Sequence, residues 1–248
     1  MRKLLYANLQ RLWLDSTFWL MVLAVIGLES VFCINLRRQG TLPMDLVLFV
    51  FLQCMGILIA ILLSLYYGTD YQEGTIRNKL VVGHKRSSIY LANLLAGFIA
   101  VTVLFLIGVL VGGVLGAVMY EPLENDLLQI ILVGVVGWLA CLSFAAIFNL
   151  VGMLSNSKSV SAIVCILGAF GLLFTSLYIY QRLAQPGRLT GTTRTLYEFL
   201  FEVNPNGQIL QAMSYNIDSS IQMMLYSFGL IMVFSLVGLF FFKRKDLK

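Results

Sequence analysis

Ionisable and nucleophilic side chains are scarce where this sequence is apolar, and their positions narrow the chemistry open to it. Glu29 is the one acid well inside an apolar run. In a helix beginning near Thr17 it lies ~18 Å along the axis, in the far half of a bilayer. A carboxylate there is expensive and faces the protein interior or a wet cavity. One reading makes Glu29 a pathway or gating residue that meets a cationic or polar substrate. The other has it bonded to Ser30, Asn35 or a neighbouring helix. Cys33, Cys54, Cys141 and Cys165 all fall in apolar runs, with no CxxC or Cys/His cluster, so neither a metal site nor a disulfide framework is expected. The single histidine, His84, stands beside Lys85 and Arg86 and reads as basic surface. No glycine is followed by lysine, which removes the GxxxxGK(S/T) phosphate loop and with it any ATPase activity of the chain's own. The apolar runs also lack a Ser/His pair, a paired Asp or an HExxH arrangement. The chain is therefore expected to be no enzyme and to hold no cofactor or metal.

Charge concentrates instead in one connector, residues 68–88. Asp70 followed by Glu73 is a capping-box-like start, Gly83 is a left-handed helix stop, and a short helix is expected between them. Ile76 and Leu80 share one face of it, Arg77 and Val81 another. Lys85 and Arg86 follow, and Ser87 or Ser88 can cap the next long helix. Such an element presents a small apolar knob framed by charges, the right shape for docking a soluble partner. A plain solvated connector would carry the same residues.

The scaffold for these residues follows from composition. Of 248 residues, 59 % are hydrophobic and only 12 % charged, against roughly 25 % charged in soluble domains. Six apolar runs, at 17–36, 46–67, 89–119, 127–153, 159–180 and 222–242, reach the roughly 20 residues that a span requires. The expected fold is all-α: a single transmembrane domain over 1–248 with six helices. Arg2, Lys3, Arg11, Arg77, Lys79, Lys85, Arg86, Lys158, Lys243, Arg244, Lys245 and Lys248 fall on one side of that layout. Arg37, Arg38, Arg182, Arg188 and Arg194 fall on the other. The richer side is cytoplasmic, which puts both termini in the cytoplasm of a cell whose membrane the chain crosses many times. The net charge of +5 sits at the ends and in one loop, which suits anionic lipid headgroups or an acidic partner and not nucleic acid. Residues 1–16 place Leu4, Leu5, Leu9 and Leu12 at helical spacing, with Tyr6 and Trp13 at headgroup depth, and read as an amphipathic interfacial helix. The external loop 181–221 is the longest. Its apolar middle is broken at Asn204-Pro205-Asn206-Gly207, and two short helices dipping into the outer leaflet are expected. Gly108, Gly112 and Gly116 form a small-residue ladder that permits close helix approach, within the chain or at a dimer seam.

Order and spacing add a resemblance. Glu73-Gly74-Thr75-Ile76, then Asn78-Lys79-Leu80, Gly83 and Arg86 before the third span, resemble the first cytoplasmic loop of ABC-2-type permeases, the membrane subunits of one class of ABC exporter. The ending Gly238-Leu239-Phe240-Phe241-Phe242-Lys243-Arg244-Lys245-Asp246-Leu247 resembles theirs too. The resemblance covers the whole chain. It implies that residues 70–86, with Asp70, Glu73, Gly74, Thr75, Ile76, Arg77, Lys79, Leu80, Gly83 and Arg86, form a coupling helix resting in a cleft of a separate ABC ATPase subunit. That subunit would bind the ATP and Mg. A second permease subunit, identical or homologous, would complete the pathway. The substrate implied is hydrophobic or amphipathic: a bacteriocin, lantibiotic or cytolytic peptide in an export or immunity system, with lipid-linked or small-molecule drug export next. The rival reading is an ion-coupled secondary transporter, which wants several intramembrane acids where Glu29 stands alone.

Overall fold

A computed structural model of the chain describes all residues except 39, 41, 186–189, 216–218 and 246–248. The expectations attached to Arg188, Asp246, Leu247 and Lys248 lie outside the described residues. The rest is almost wholly helical. α1 (Arg2–Leu14) and α2 (Ser16–Arg37) precede a 3-10 turn at Met44–Leu46. Then come α3 (Leu52–Gln72), α4 (Thr75–Val81), α5 (Arg86–Met119), α6 (Leu127–Leu154), α7 (Lys158–Leu183), α8 (Gly191–Val203), α9 (Pro205–Met213) and α10 (Ser220–Arg244). Six of these, α2, α3, α5, α6, α7 and α10, are long and apolar enough to cross a membrane. α3 and α6 sit at the centre. α6 packs on α3, α5, α9 and α10, while α7 lies on α3, and α1 and α2 lie on α5. α10 turns Leu225, Phe228, Val233 and Leu236 outward, as a helix facing lipid does.

Hydropathy locates five of the six long helices to within three residues at each end. The second departs from it: the expected run 46–67 is helical over Leu52–Gln72. Residues 47–51 are apolar because they are buried, not because they are helical. Val47, Leu48, Phe49, Val50 and Phe51 are all buried, yet their backbone winds through turns, with Leu52 N–H donating to Phe49 C=O at 3.0 Å and Gln53 N–H to Val50 C=O at 3.2 Å. Irregular backbone survives at membrane depth only where protein satisfies its polar groups. Glu29 supplies one such partner: its Oε2 accepts the Phe51 N–H at 2.8 Å, just ahead of α3. The glycine ladder makes room for the same segment. Gly108 lies against the Phe51 ring, Gly112 against Leu48 C=O and Glu29, and Gly116 against Met44. The ladder is thus filled from within the chain.

Glu29→Gln keeps a carbonyl oxygen for the Phe51 N–H. The variant is expected to melt within about 1 kcal/mol of the wild type, since a net hydrogen bond is worth only about that much. A thermal unfolding curve in detergent checks it. A much larger loss would mean that the carboxylate charge has a second role.

α1 lies on α5 through Leu4, Asn8 and Leu12, with Tyr6, Trp13 and Leu14 exposed. Asp15 starts α2 by accepting the Thr17 N–H at 2.8 Å. Between α7 and α10 the chain makes two short helices that meet at Asn204. The Asn204 side chain accepts the Asn206 N–H at 3.0 Å, and Pro205 opens α9 where a missing N–H is harmless. α9 is inserted against α6 and α7.

Candidate functional site

The 68–88 connector lies at the end of the bundle that carries α1 and the last turn of α10. α3 closes at Glu73. Gly74, with φ at 67°, reverses the chain and α4 starts at Thr75. Gly83 (φ 92°) stops α4: its N–H donates to Leu80 C=O at 2.9 Å and the His84 N–H to Lys79 C=O at 3.2 Å. That bond pair is the left-handed glycine terminus. The short helix and its stop therefore lie where the spacing of the glycines puts them.

Other parts of the sequence reading need correction. Asp70 does not cap α4. It lies inside α3 with a fully buried side chain. Ser87 and Ser88 do not cap α5, which begins at Arg86. The apolar knob also faces the other way. Ile76 is 2 % exposed and packs into the core, with half-buried Leu80 beside it. Outward lie Glu73, Arg77 and Asn78, with Val81 at 80 % and Val82 at 76 % exposed. A helix of seven residues has about two turns, so turning Ile76 inward fixes which apolar pair is left in solvent. Thr75 Oγ1 donates to Asp70 C=O at 3.2 Å. Arg86 does not sit on this face. Its guanidinium donates to the carbonyls of Lys243, at 3.2 Å, and Lys245, closing the end of α10.

Behind α4 is a polar cluster of five helices that the sequence did not announce. Asp70 pairs with Arg11 of α1 and lies 3.6 Å from Lys79 Nζ of α4. Lys79 Nζ also donates to Asn8 Oδ1 at 2.9 Å, and Asn8 Nδ2 to Asn93 Oδ1 of α5 at 2.5 Å. Asn93 Nδ2 reaches Met153 Sδ of α6 at 3.1 Å. Tyr66 OH donates to Asn8 C=O at 2.8 Å and Tyr67 OH to Asn93 C=O at 3.1 Å. Burial pulls the Arg11 guanidinium down in pKa, but Asp70 and Tyr66 together outweigh it and the net shift is upward. Lys79 goes the other way: burial lowers it, and the repulsion of Arg11 works against the help of Asp70. A signal for Arg11 existed. Positions 4, 8, 11 and 12 share one helix face, so Arg11 belongs with buried Leu4, Asn8 and Leu12 and needs an acid opposite.

At the same end, the Lys245 ammonium donates to Tyr71 OH at 3.0 Å, Met153 C=O at 3.2 Å and Ser155 C=O at 2.9 Å. It sits on the last carbonyls of α6, where a cation is favoured, although burial lowers its pKa to about 8. At the opposite end Asp45, also missed in the sequence, accepts the N–H groups of Glu124 (3.0 Å) and Asn125 (2.7 Å). Glu29 is fully buried between α2, residue 51 and α5 and lines none of the described clefts. One cleft of about 600 Å³ opens between α7, α8 and α9. Leu177, Tyr180 and Phe201 give it an apolar wall, and Arg194, Glu198 and Glu202 a charged rim. Burial, then Glu198, raises the Glu202 carboxyl. No group of His, Cys, Asp and Glu suited to a metal occurs among the described residues.

A family model described as ABC-2 family transporter protein matches residues 47–247. The matched stretch runs from the buried turns before α3 to the basic end after α10, and includes α4 but not α1, which supplies Asn8 and Arg11 to the cluster. Comparison with curated proteins gave no match.

Proposed function

The chain belongs to the ABC-2 family of transporter proteins, membrane subunits of ABC transporters, and from that premise we propose that it exports a hydrophobic or amphipathic substrate on ATP hydrolysed by a separate subunit. The ATPase subunit binds the ATP and Mg, and a second permease, identical or homologous, completes the pathway. The excess of lysine and arginine on one side sets both termini and α4 in the cytoplasm. α4 is then the coupling helix. Its outward Arg77 and Val81, with Glu73 at the end of α3 and Val82 just after α4, form the surface the ATPase grips. Closure of the ATPases around ATP pushes α4, and the push passes into α3 and α5, which flank it in the chain. The substrate is a peptide before a lipid-linked molecule or a drug, as in bacteriocin or lantibiotic export and immunity. The cleft beside Tyr180 and Phe201, apolar with a charged rim, suits an amphipathic molecule at the outer face.

The observation that carries this reading is α4 itself. A helix of seven residues is fixed by a left-handed glycine at each end, plugged inward by Ile76, and leaves Arg77 and Val81 in solvent beside exposed Glu73 and Val82. Isolated helices this short do not persist in water without tertiary support, so a helix held in place with its valines exposed is a built surface. The test is co-purification of the co-expressed ATPase subunit at matched membrane expression. Glu73→Lys combined with Val81→Ser and Val82→Ser is expected to weaken association about fivefold or more, since truncating a hot-spot contact removes over about 1 kcal/mol. Leu123→Ser, at the other end, is expected to leave it unchanged. Full association in the triple variant would reduce this loop to a solvated connector.

A further inference from the structure

We infer that Asp70 is a positioning residue through which movement of α4 reaches α1, with Lys79 as the releasable half of the contact. The inference rests on the coupling role proposed for α4. α4 is attached to the bundle by few groups. Ile76 and Leu80 plug it inward, Thr75 bonds the Asp70 carbonyl, and Lys79 reaches the Asp70 carboxylate. Of these, Lys79 also hydrogen-bonds α1, donating to Asn8 Oδ1 at 2.9 Å.

The two cations on Asp70 are held unequally. Arg11 has three partners on α3: the Asp70 carboxylate, the Tyr66 carbonyl at 3.1 Å and the Tyr66 ring face, 3.9 Å from its centroid. A guanidinium so gripped has little freedom. Lys79 stands 3.6 Å from the carboxylate, beyond hydrogen-bond length, and shares it with a like charge. Two cations on one fully buried carboxylate leave an excess positive charge, and in a poorly screened site the looser cation yields first. When α4 is displaced, Lys79 leaves both Asp70 and Asn8. Asp70 then keeps Arg11 as its one cation, with Asn93 Nδ2 donating at 3.5 Å, and Asn8 keeps only its bonds to Asn93 and Tyr66. The seating of α1 on α5 therefore changes whenever α4 moves. In this arrangement α1 is a driven part of the transport cycle as well as an attachment to the membrane surface.

The experiment uses the permease purified with its co-expressed ATPase subunit, in nanodiscs of phosphatidylethanolamine and phosphatidylglycerol. Backbone hydrogen exchange of residues 2–14 is followed with and without ATP plus vanadate. In the wild-type complex, trapping with vanadate is expected to change exchange across α1. In Lys79→Met that response is expected to be lost while co-purification and ATP hydrolysis persist, and Lys79→Arg is expected to restore it. Lys79→Met leaves one cation on Asp70, so folding should survive, which a melting curve of the isolated chain verifies. An unchanged α1 response in Lys79→Met overturns the inference, as does a wild-type complex that hydrolyses ATP with α1 unmoved. Loss of the ATPase from Lys79→Met also overturns it, because Lys79 would then be a docking contact. A wild-type preparation that retains no ATPase defeats the function proposed for the chain and the inference with it, a result read before any variant is compared.

Discussion

Asp70→Leu is expected to lower stability by about 3–5 kcal/mol, the range found when one member of a buried ion pair is removed and its partner stays behind. The carboxylate has no exposed surface, and its partners Arg11 and Lys79 keep only 27 % and 15 % of their side chains in solvent. Leucine would leave two like charges facing an apolar group. The loss should also spread, because the cluster joins α1, α3, α4, α5 and α6. Arg11→Met should be milder, since Lys79 remains to balance Asp70. Combining Asp70→Leu with Arg11→Met and Lys79→Met should recover a large part of the loss, as apolar replacement of a whole buried ion set often does. Thermal unfolding of the four proteins in one detergent measures this. A single Asp70→Leu variant within about 1 kcal/mol of wild type, the worth of an exposed pair, would show that water reaches the cluster.

The long helices were legible in the sequence because a span must be apolar over its whole length, a property that needs no knowledge of neighbours. The stop at Gly83 was legible for a similar reason, since a left-handed terminus favours one residue type. What failed required partners remote in the chain. Asp70 lies 59 positions from Arg11. Read locally beside Glu73, it has the pattern of a cap, and only the packing of α1 on α5 reveals it as a buried acid. The facing of α4 failed for a related reason. Ile76 with Leu80 and Val81 with Val82 are both apolar pairs, and seven residues hold too few turns for periodicity to choose between them. Glu29 was singled out as unusual, and one of its two readings bonded it to Ser30, Asn35 or a neighbouring helix. Its actual partner, a backbone N–H at Phe51, was hidden because residues 47–51 look like helix to any hydropathy scale.

That buried turn supplies the second large effect, through two adjacent glycines with opposite surroundings. A methyl group on Gly112 would meet Glu29 Oε1 at 2.6 Å and Leu48 C=O at 2.8 Å. The second of these atoms is backbone and cannot rotate away. Gly112→Ala therefore forces the 47–51 turns off α5 or pushes Glu29 from the Phe51 N–H. Overpacking of this kind costs typically 1–3 kcal/mol, and leaving a buried N–H unpaired adds about 1–3 kcal/mol. The expected loss is therefore about 1–3 kcal/mol from overpacking alone, and about 2–6 kcal/mol where the Phe51 N–H is also left unpaired. A methyl group on Gly113 meets only the Leu48 Cδ1 at 3.8 Å, an ordinary contact with a side chain. Gly113→Ala is thus expected to be neutral or to stabilise by up to about 1 kcal/mol, because alanine limits the unfolded backbone more than glycine does. The two substitutions are chemically identical and one residue apart in the same helix, so helix propensity, expression and detergent effects cancel in the comparison. Thermal unfolding and proteolysis of the two variants side by side give the difference. If Gly112→Ala proved as stable as Gly113→Ala, the turn would not be seated in the glycine ladder. Glu29 would then have to be placed elsewhere.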